Sequence, residues 1–193
     1  MSLFSSLGAF ELGFIYSLVA LGVFISFRIL RFPDLTVDGT FATGGAIAAL
    51  VISMGGDPFL ATALAMLACA FAGMLTGWLN VKLGIMDLLA SILMMTALYS
   101  INLRIMGGPN IPLITSDTVF SLLQPASLEE HFWRPLLLLL IVVIVKLLLD
   151  RYFATQSGLA MRSTGSNLRM ARAQGISTDR MVMLGMAISN ALV

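Results

Sequence analysis

Acidic and hydroxyl side chains with the spacing of a binding or capping site stand at the start of one apolar run. The segment reads Asp34-Leu35-Thr36-Val37-Asp38-Gly39-Thr40-Phe41. Ionisable groups within a membrane helix mark a functional site by default, because burying them is costly. The same oxygens also cap helices, since they accept hydrogen bonds from the free N–H groups of the first turn. Two interpretations therefore stay open: Asp34 or Thr36 caps a helix whose positive end Asp38 stabilises, or this helix lines a translocation path.

The path hypothesis involves one compact set of residues just beyond this start. Glycines loosen a helix, and irregular backbone survives at membrane depth only where protein shields it or where it lines a wet cavity. If the helix lines a path, the residues that we expect to line it are Asp38, Thr40, Thr43, Gly44 and Gly45.

A second segment, Gly158–Arg180, combines glycines, helix formers and arginines. Gly165-Ser166-Asn167 is typical of a helix start, because Ser and Asn oxygens accept hydrogen bonds from free backbone N–H groups. Leu168–Gln174 is long enough for one or two helical turns, and Gly175 suits the left-handed conformation that ends a helix. A short helix bracketed by glycines could dock on a soluble partner. Alternatively, it rests on anionic lipid headgroups.

The titratable residues elsewhere give little support for catalysis. The sequence has one histidine, His131, and one cysteine, Cys69. A Ser or Cys nucleophile needs a facing base, and a Cys/His metal site needs several ligands. Asp38 and Asp87 fall near one end of their apolar runs rather than at depth, and no GxxxxGK[ST] nucleotide-binding loop occurs. We therefore expect no catalytic residue, metal or cofactor on this chain.

Five small residues recur at four-residue spacing in the third apolar run. This spacing places them on one helix face, where small side chains let another backbone approach closely. Gly73 and Gly77 form a GxxxG pair within the set. We predict a helix-packing face, here named the small-residue seam, made of Ala61, Ala65, Cys69, Gly73 and Gly77.

The elements that position these residues follow from the composition. Of 193 residues, 59% are hydrophobic and 11% are charged, and the mean hydropathy is +0.98. Soluble domains average about 45–50% apolar and about 25% charged residues, so we predict an all-α, polytopic membrane protein. The net charge of +1 argues against nucleic-acid binding, which needs a basic excess.

Apolar runs of about 20 residues, the length that crosses a bilayer, occur five times. A sixth run, Met181–Val193, is too short at about 1.5 Å per residue to cross a hydrocarbon core of about 30 Å. We expect five full spans and a truncated sixth, and, since no Lys or Arg precedes the first run, no cleaved signal peptide. The five spans are predicted at Ala9–Leu30, Val37–Met54, Pro58–Asn80, Ile85–Leu103 and Pro135–Phe153.

Basic residues are divided unevenly among the predicted loops, and this division sets the orientation. With the N-terminus outside, only Arg104 and Arg134 lie on the outer side. The longest outer loop, Met106–Arg134, is interpreted as a solvated connector. The nine basic residues then predicted on the inner side are Arg28, Arg31, Lys82, Lys146, Arg151, Arg162, Arg169, Arg172 and Arg180.

The two polar segments in combination resemble permease subunits of ATP-binding cassette importers, in the branched-chain amino acid permease family. The segment from Asp34 to Phe41 is similar to a narrower subgroup, described as tryptophan/tyrosine permeases or as permeases of uncharacterised substrate. The resemblance covers essentially the whole chain. The residues similar to the family's cytoplasmic coupling-helix region are Gly158–Gly165, Asn167, Arg169, Met170, Ala171, Gly175 and Ile176.

The resemblance implies a single permease domain over residues 1–193, with a coupling loop at about residues 154–180 that docks on a cytoplasmic ABC ATPase. ATP and Mg²⁺ would bind that separate chain. Small residues of the loop would allow close approach, and its arginines could pair with acids of the ATPase. Family members continue beyond residue 193. The residues implied in coupling are Gly165, Asn167, Arg169, Ala171, Arg172 and Gly175.

The function implied by the resemblance is uptake of a small solute, an aromatic or branched-chain amino acid, across the bacterial plasma membrane. An extracytoplasmic substrate-binding protein would deliver the solute, and a second permease subunit, most simply in a homodimer, would complete the path. Lipid is the other expected contact, and nucleic acid is not one. The alternative is a channel or secondary transporter that works without an ATPase.

Overall fold

The computed structural model describes residues 3–108, 119–123 and 130–193. Within these ranges the regular structure is entirely helical, which confirms the predicted all-α class. Much of the predicted outer loop, including Pro109, Pro112 and Pro125, lies outside the described residues. The helices are α1 (Leu3–Val23), α2 (Thr36–Ser53), α3 (Pro58–Leu83), α4 (Asp87–Met106), α5 (Val119–Leu122), α6 (Glu130–Phe153), α7 (Gln156–Ser166), α8 (Leu168–Ala173) and α9 (Thr178–Ala191).

Among the described residues, five helical stretches are long and apolar enough to cross a membrane, which confirms the five predicted spans. They are Ser6–Ile29, α2, α3, α4 and Phe132–Phe153. The first changes geometry along its length, because α1 continues as a π-helix over Phe24–Ile29, here named the π-helical segment. Such turns are rare and occur frequently at functional sites.

Local sequence chemistry explains where α3 and α4 begin and end. The Asp57 carboxylate accepts a hydrogen bond from the Phe59 N–H at 3.0 Å, and Pro58 occupies the first turn, where its missing donor costs nothing. Gly84 (φ 67°) and Gly107 (φ 64°) follow α3 and α4 in the left-handed conformation. Short connections therefore make α2, α3 and α4 successive neighbours in the bundle.

The last helix, α9, lies at the centre of the bundle. It packs most extensively on α3 and also contacts α1, α2, α7 and the π-helical segment. Two residues of the small-residue seam allow this approach. A Cβ on Gly73 would collide with the Met186 carbonyl oxygen, and one on Gly77 would lie 3.0 Å from the Met183 Cα.

Most of the basic side chains gather at one end of the bundle, here named the basic end. The π-helical segment, the last turn of α6, α7 and the first turns of α9 share a buried core there, which includes Ile25, Phe153, Met161 and Met186. The segment predicted as a loop at about residues 154–180 is mostly helical. Its second helix, α8, was predicted, whereas α7 was not.

Candidate functional site

The predicted coupling segment is a short helix closed at both ends. The Asn167 side-chain oxygen accepts a hydrogen bond from the Met170 N–H at 3.1 Å, as an N-cap does. At the other end Gly175 has a φ of 80°, and the Ile176 N–H donates to the Ala171 carbonyl oxygen at 3.1 Å. Helix α8 therefore begins and ends where the sequence predicted.

The surface that α8 presents differs from the one that the sequence suggested. Ala171 is only 2% exposed, so its small side chain anchors α8 against its own chain and does not face a partner. Leu168 and Met170 are 43% and 60% exposed on either side of the exposed Arg169. Leu168 was not named as a candidate from the sequence, and Met170 was named only in the resemblance to the coupling-helix region; both side chains are exposed in a helix outside the spans.

Arg172 connects α8 to the start of α9. Its Nε donates to the Thr178 hydroxyl at 2.8 Å, and its Nη2 lies 3.0 Å from the Asp179 carboxylate. Sequence reasoning had assigned this arginine to acids of a partner protein. In the structure its guanidinium already has an acidic neighbour on the same chain, so Arg169 is the better candidate for a partner contact.

Helix α7 attaches α8 to the membrane spans through close backbone contacts. A Cβ on Gly165 would collide with the Ile29 carbonyl oxygen, and one on Gly158 would collide with the Tyr152 carbonyl oxygen. Gly165 therefore serves the contact between α7 and the π-helical segment. The docking role predicted for Gly165 was based on its position in the sequence. Its close contact with Ile29 gives this glycine a structural role within the chain.

The five candidate path residues of α2 fall on two different faces. Thr40 and Thr43 are buried against neighbouring helices, and the Thr43 hydroxyl donates to the Gly39 carbonyl oxygen at 2.7 Å. Asp38 and Gly45 are exposed, whereas Gly44 is intermediate and faces Cys69. Only the exposed face is available to a path or to another subunit.

A buried polar network that the sequence did not reveal joins the start of α2 to α9. The Asn190 amide donates to Asp34 Oδ2 at 2.8 Å, and the Thr40 hydroxyl donates to Asn190 Oδ1 at 2.8 Å. Asp34 Oδ1 also accepts from the Thr36 N–H at 2.8 Å, which matches the capping interpretation. Burial raises the pKa of the Asp34 carboxyl, although hydrogen bonds from Thr36 and Asn190 oppose that rise.

The small-residue seam serves two partner helices. All five of its members are buried. Near the middle of α3, the Cys69 thiol donates to the Thr40 carbonyl oxygen of α2 at 3.3 Å. Toward the end of α3, Gly73 and Gly77 contact α9. The buried members of the seam are Ala61, Ala65, Cys69, Gly73 and Gly77.

Two other acids near the ends of spans, Glu11 and Asp87, have partners within the bundle. Glu11 of α1 lies 3.9 Å from Arg134 of α6, and this pair joins the two helices far from the basic end. Asp87 accepts a hydrogen bond from the Asn80 amide across the α3–α4 connection. Both acids therefore contribute to helix contacts. Among the described residues, no three His, Cys, Asp or Glu side chains form a group that could hold a metal ion.

Comparison with known proteins adds the family. Residues 6–192 match the family described as branched-chain amino acid transport system, permease component. The tyrosine transport system permease protein of Clostridioides difficile (strain R20291) is 40% identical over 180 residues, 93% of this chain and 58% of that protein. Uncharacterized protein RP368 of Rickettsia prowazekii (strain Madrid E) is 36% identical over 184 residues, 95% of this chain and 63% of that protein. No solved structure matches.

The fold and the sequence matches define the class of protein. Five membrane-length helices in an all-helical bundle are those of a multi-pass membrane protein. The chain belongs to the branched-chain amino acid permease family, as its sequence predicted. It spans about three fifths of the length of the two curated relatives.

Proposed function

We propose that the chain is the permease subunit of an ATP-driven importer and that α8 contacts a separate cytoplasmic ATPase. The construction of α8 carries this proposal. The helix presents an arginine between two exposed apolar side chains, Leu168 and Met170, while Ala171 holds it to the bundle. Protein interfaces combine apolar contact with Arg in this way. ATP and Mg²⁺ would bind to the ATPase and not to this chain.

The distribution of charge supports an orientation in which α8 faces the cytoplasm. With the predicted spans, nine basic residues fall on the side of the membrane that contains the basic end, and two fall on the opposite side. Cytoplasmic loops carry the excess of Lys and Arg in membrane proteins. In this orientation the N-terminus is outside a bacterial plasma membrane, and an ATPase can reach α8.

The contacts of α8 supply a route for coupling. Arg172 ties α8 to the first turn of α9, and α9 packs on α1, α2 and α3. On the other side, Gly165 of α7 touches the π-helical segment of the first span. Displacement of α8 by an ATPase would therefore reach three of the spans, the first span, α2 and α3, through packed elements. Such coupling requires two arrangements of the spans, each favoured by one nucleotide state.

The substrate proposed is an aromatic or branched-chain amino acid, delivered by an extracytoplasmic binding protein. The proposal is supported by the family and by the similarity to a tyrosine transport system permease. A second permease subunit, most simply a second copy, would face the exposed side of α2. Asp38 and Gly45 on that side would then border the path.

The docking proposal predicts that Arg169→Glu weakens retention of the ATPase. Reversing a charge at a contact replaces attraction by repulsion and should reduce the co-purified ATPase by about tenfold or more. Because Arg169 is exposed, the amount of permease in the membrane should stay unchanged. The measurement is the ratio of ATPase to permease after affinity purification from membranes.

Arg151→Glu is the matched control, since it is exposed near the same end and changes the charge equally. It should retain the ATPase. Equal retention by the wild type and by Arg169→Glu would contradict docking on α8. Uptake into proteoliposomes that lack an ATPase would instead favour a channel or secondary transporter.

A further inference from the structure

Three arginines surround a small cavity at the basic end. The cavity has a volume of about 240 Å³, and the residues that line it include Phe24, Arg28, Ile29, Arg31 and Arg162. We name it the arginine cavity. It lies where the π-helical segment, the turn that follows it and the end of α7 meet, and Gly165 and Ser166 of α7 also line it.

The three guanidinium groups of the arginine cavity have no acidic partner in the described part of the chain. None of the ion pairs between described residues includes Arg28, Arg31 or Arg162. Arg162 stacks over the Phe153 ring, with 5.3 Å from its Cζ to the ring centroid. The cavity therefore concentrates positive charge that the fold itself does not neutralise.

The backbone at Arg31 adopts the left-handed conformation that commonly ends a helix, and the Phe32 N–H beyond it donates to the Ser26 carbonyl oxygen at 2.9 Å. With a φ of 56°, Arg31 is the non-glycine residue with positive φ among the described residues. Bulky side chains rarely adopt this conformation, and such residues cluster at ligand clamps. It lies two residues beyond the end of a π-helix, a second feature concentrated at functional sites. A glycine would relieve the backbone but would remove the guanidinium.

The surroundings of the cavity identify the kind of ligand. The first span ends at Ile29, so Arg28 and Arg31 lie at the membrane boundary. Phe24 and Phe27, in the last turns of the first span, are 45% and 64% exposed. A soluble anion would use only the arginines, whereas a lipid would use the arginines and the aromatic side chains together.

We propose that the arginine cavity binds the headgroup phosphate of an anionic phospholipid in the leaflet at the basic end. Guanidinium groups donate paired hydrogen bonds to phosphate oxygens, and the acyl chains would lie along Phe24 and Phe27. The bound lipid would join the π-helical segment to α7, since the cavity is lined by both. This proposal holds whether or not an ATPase docks on α8.

The test measures lipid binding to the purified full chain in detergent, by native mass spectrometry. The probes are dioleoyl phosphatidylglycerol, dioleoyl phosphatidylcholine and inorganic phosphate. The wild type should bind phosphatidylglycerol about tenfold more tightly than phosphatidylcholine. The triple variant Arg28→Gln, Arg31→Gln, Arg162→Gln should lose about tenfold or more of its phosphatidylglycerol affinity.

A matched triple variant separates a site from general electrostatic attraction. Lys82→Gln, Arg151→Gln, Arg180→Gln removes the same charge from exposed positions at the basic end that do not line the arginine cavity and should change the affinity by less than about twofold. Arg31→Gly removes a single guanidinium while relaxing the backbone, so this variant should fold and bind phosphatidylglycerol about fivefold more weakly.

Three results would overturn the proposal. Equal losses in the two triple variants would mean that the chain attracts anionic lipid without a site. Saturable binding of inorganic phosphate without preference for phosphatidylglycerol would make the ligand a free phosphate. Full phosphatidylglycerol affinity in Arg31→Gly would also contradict it, and this single variant decides the matter if the triple variant does not fold.

Discussion

Asp34, Asn190 and Thr40 show what residue types reveal about this chain and what they leave hidden. The sequence predicted that Asp34 or Thr36 caps α2, and Asp34 does accept a hydrogen bond from the Thr36 N–H. It could not predict the partner Asn190, which lies in an apolar run 156 residues further along the chain. A cap is set by neighbouring residues, whereas a buried amide finds its partner only through the packing of whole helices.

At this same scale, the raised pKa of Asp34 predicts a dependence of stability on pH. Its ordinary value is 3.8, so between that value and the folded-state pKa the folded chain keeps a proton that the unfolded chain has lost. The free energy of unfolding should therefore decrease as pH rises through this window and stay lower above it. Asp34→Asn should lack this decrease, as measured by thermal unfolding in detergent from roughly pH 4 to 8.

Asp57→Asn is the control for this titration. Asp57 is exposed and caps α3, and Asn caps helices as well as Asp does. Its midpoint temperatures should follow the wild-type dependence on pH. A profile of Asp34→Asn that superimposes on the wild type would show that the Asp34 carboxyl does not titrate differently in the folded and unfolded chains.

The sequence predicted which segments form helices better than it predicted which side of each helix contacts its neighbours. The small residues of α3 marked a packing face, because spacing of four places them together. The partner helices were not predictable, since α2 and α9 are both largely apolar and offer no complementary pattern. For the same reason α2 could not be oriented from its sequence, and Thr40 and Thr43, predicted as path residues, lie in the packed interior.

Helix α7 was not predicted, because Gly158 and Gly165 suggested a loop. In the structure these glycines allow close contacts between helices.

The contact between α3 and α9 predicts that Gly73→Ala destabilises the bundle. The added Cβ would meet the Met186 carbonyl oxygen and would lie 2.8 Å from the Asn190 Cβ, so the two helices must separate. Overpacking of this kind costs about 1–3 kcal/mol. The measurement is the free energy of unfolding in detergent.

Gly13→Ala is the matched control for this substitution. Gly13 lies within α1 with no atom within 4 Å of an added Cβ. Alanine should be tolerated there or should stabilise the helix by up to about 1 kcal/mol. If Gly73→Ala were as stable as Gly13→Ala, the close approach of α9 to α3 would be excluded.

For the whole molecule, composition was enough to predict a membrane protein, and the positions of the long apolar runs predicted its five spans. The family followed from two short polar segments. The position of α9 was not predictable, since its length suggested an incomplete span and burial depends on contacts with helices distant in sequence.

The proposed orientation predicts opposite labelling of the two ends of the bundle. In a Cys69→Ala background, Asp57→Cys should react with a membrane-impermeant thiol reagent in intact cells. Gln174→Cys should react only after the membrane is permeabilised. Both positions are exposed, and the unsubstituted chain serves as control because Cys69 is buried. The reverse pattern would place the N-terminus inside.

The central position of α9 has a consequence for how the protein is made. A ribosome synthesises this helix after the five spans that enter the bilayer before it, yet its hydrogen bonds reach back across 167 residues to Gly22 and 150 residues to Thr40. Until it arrives, the spans must hold an open slot bordered by Gly73 and Gly77. Contacts of such long range can form only after the last helix has entered the membrane, so the bundle around α9 closes late in assembly.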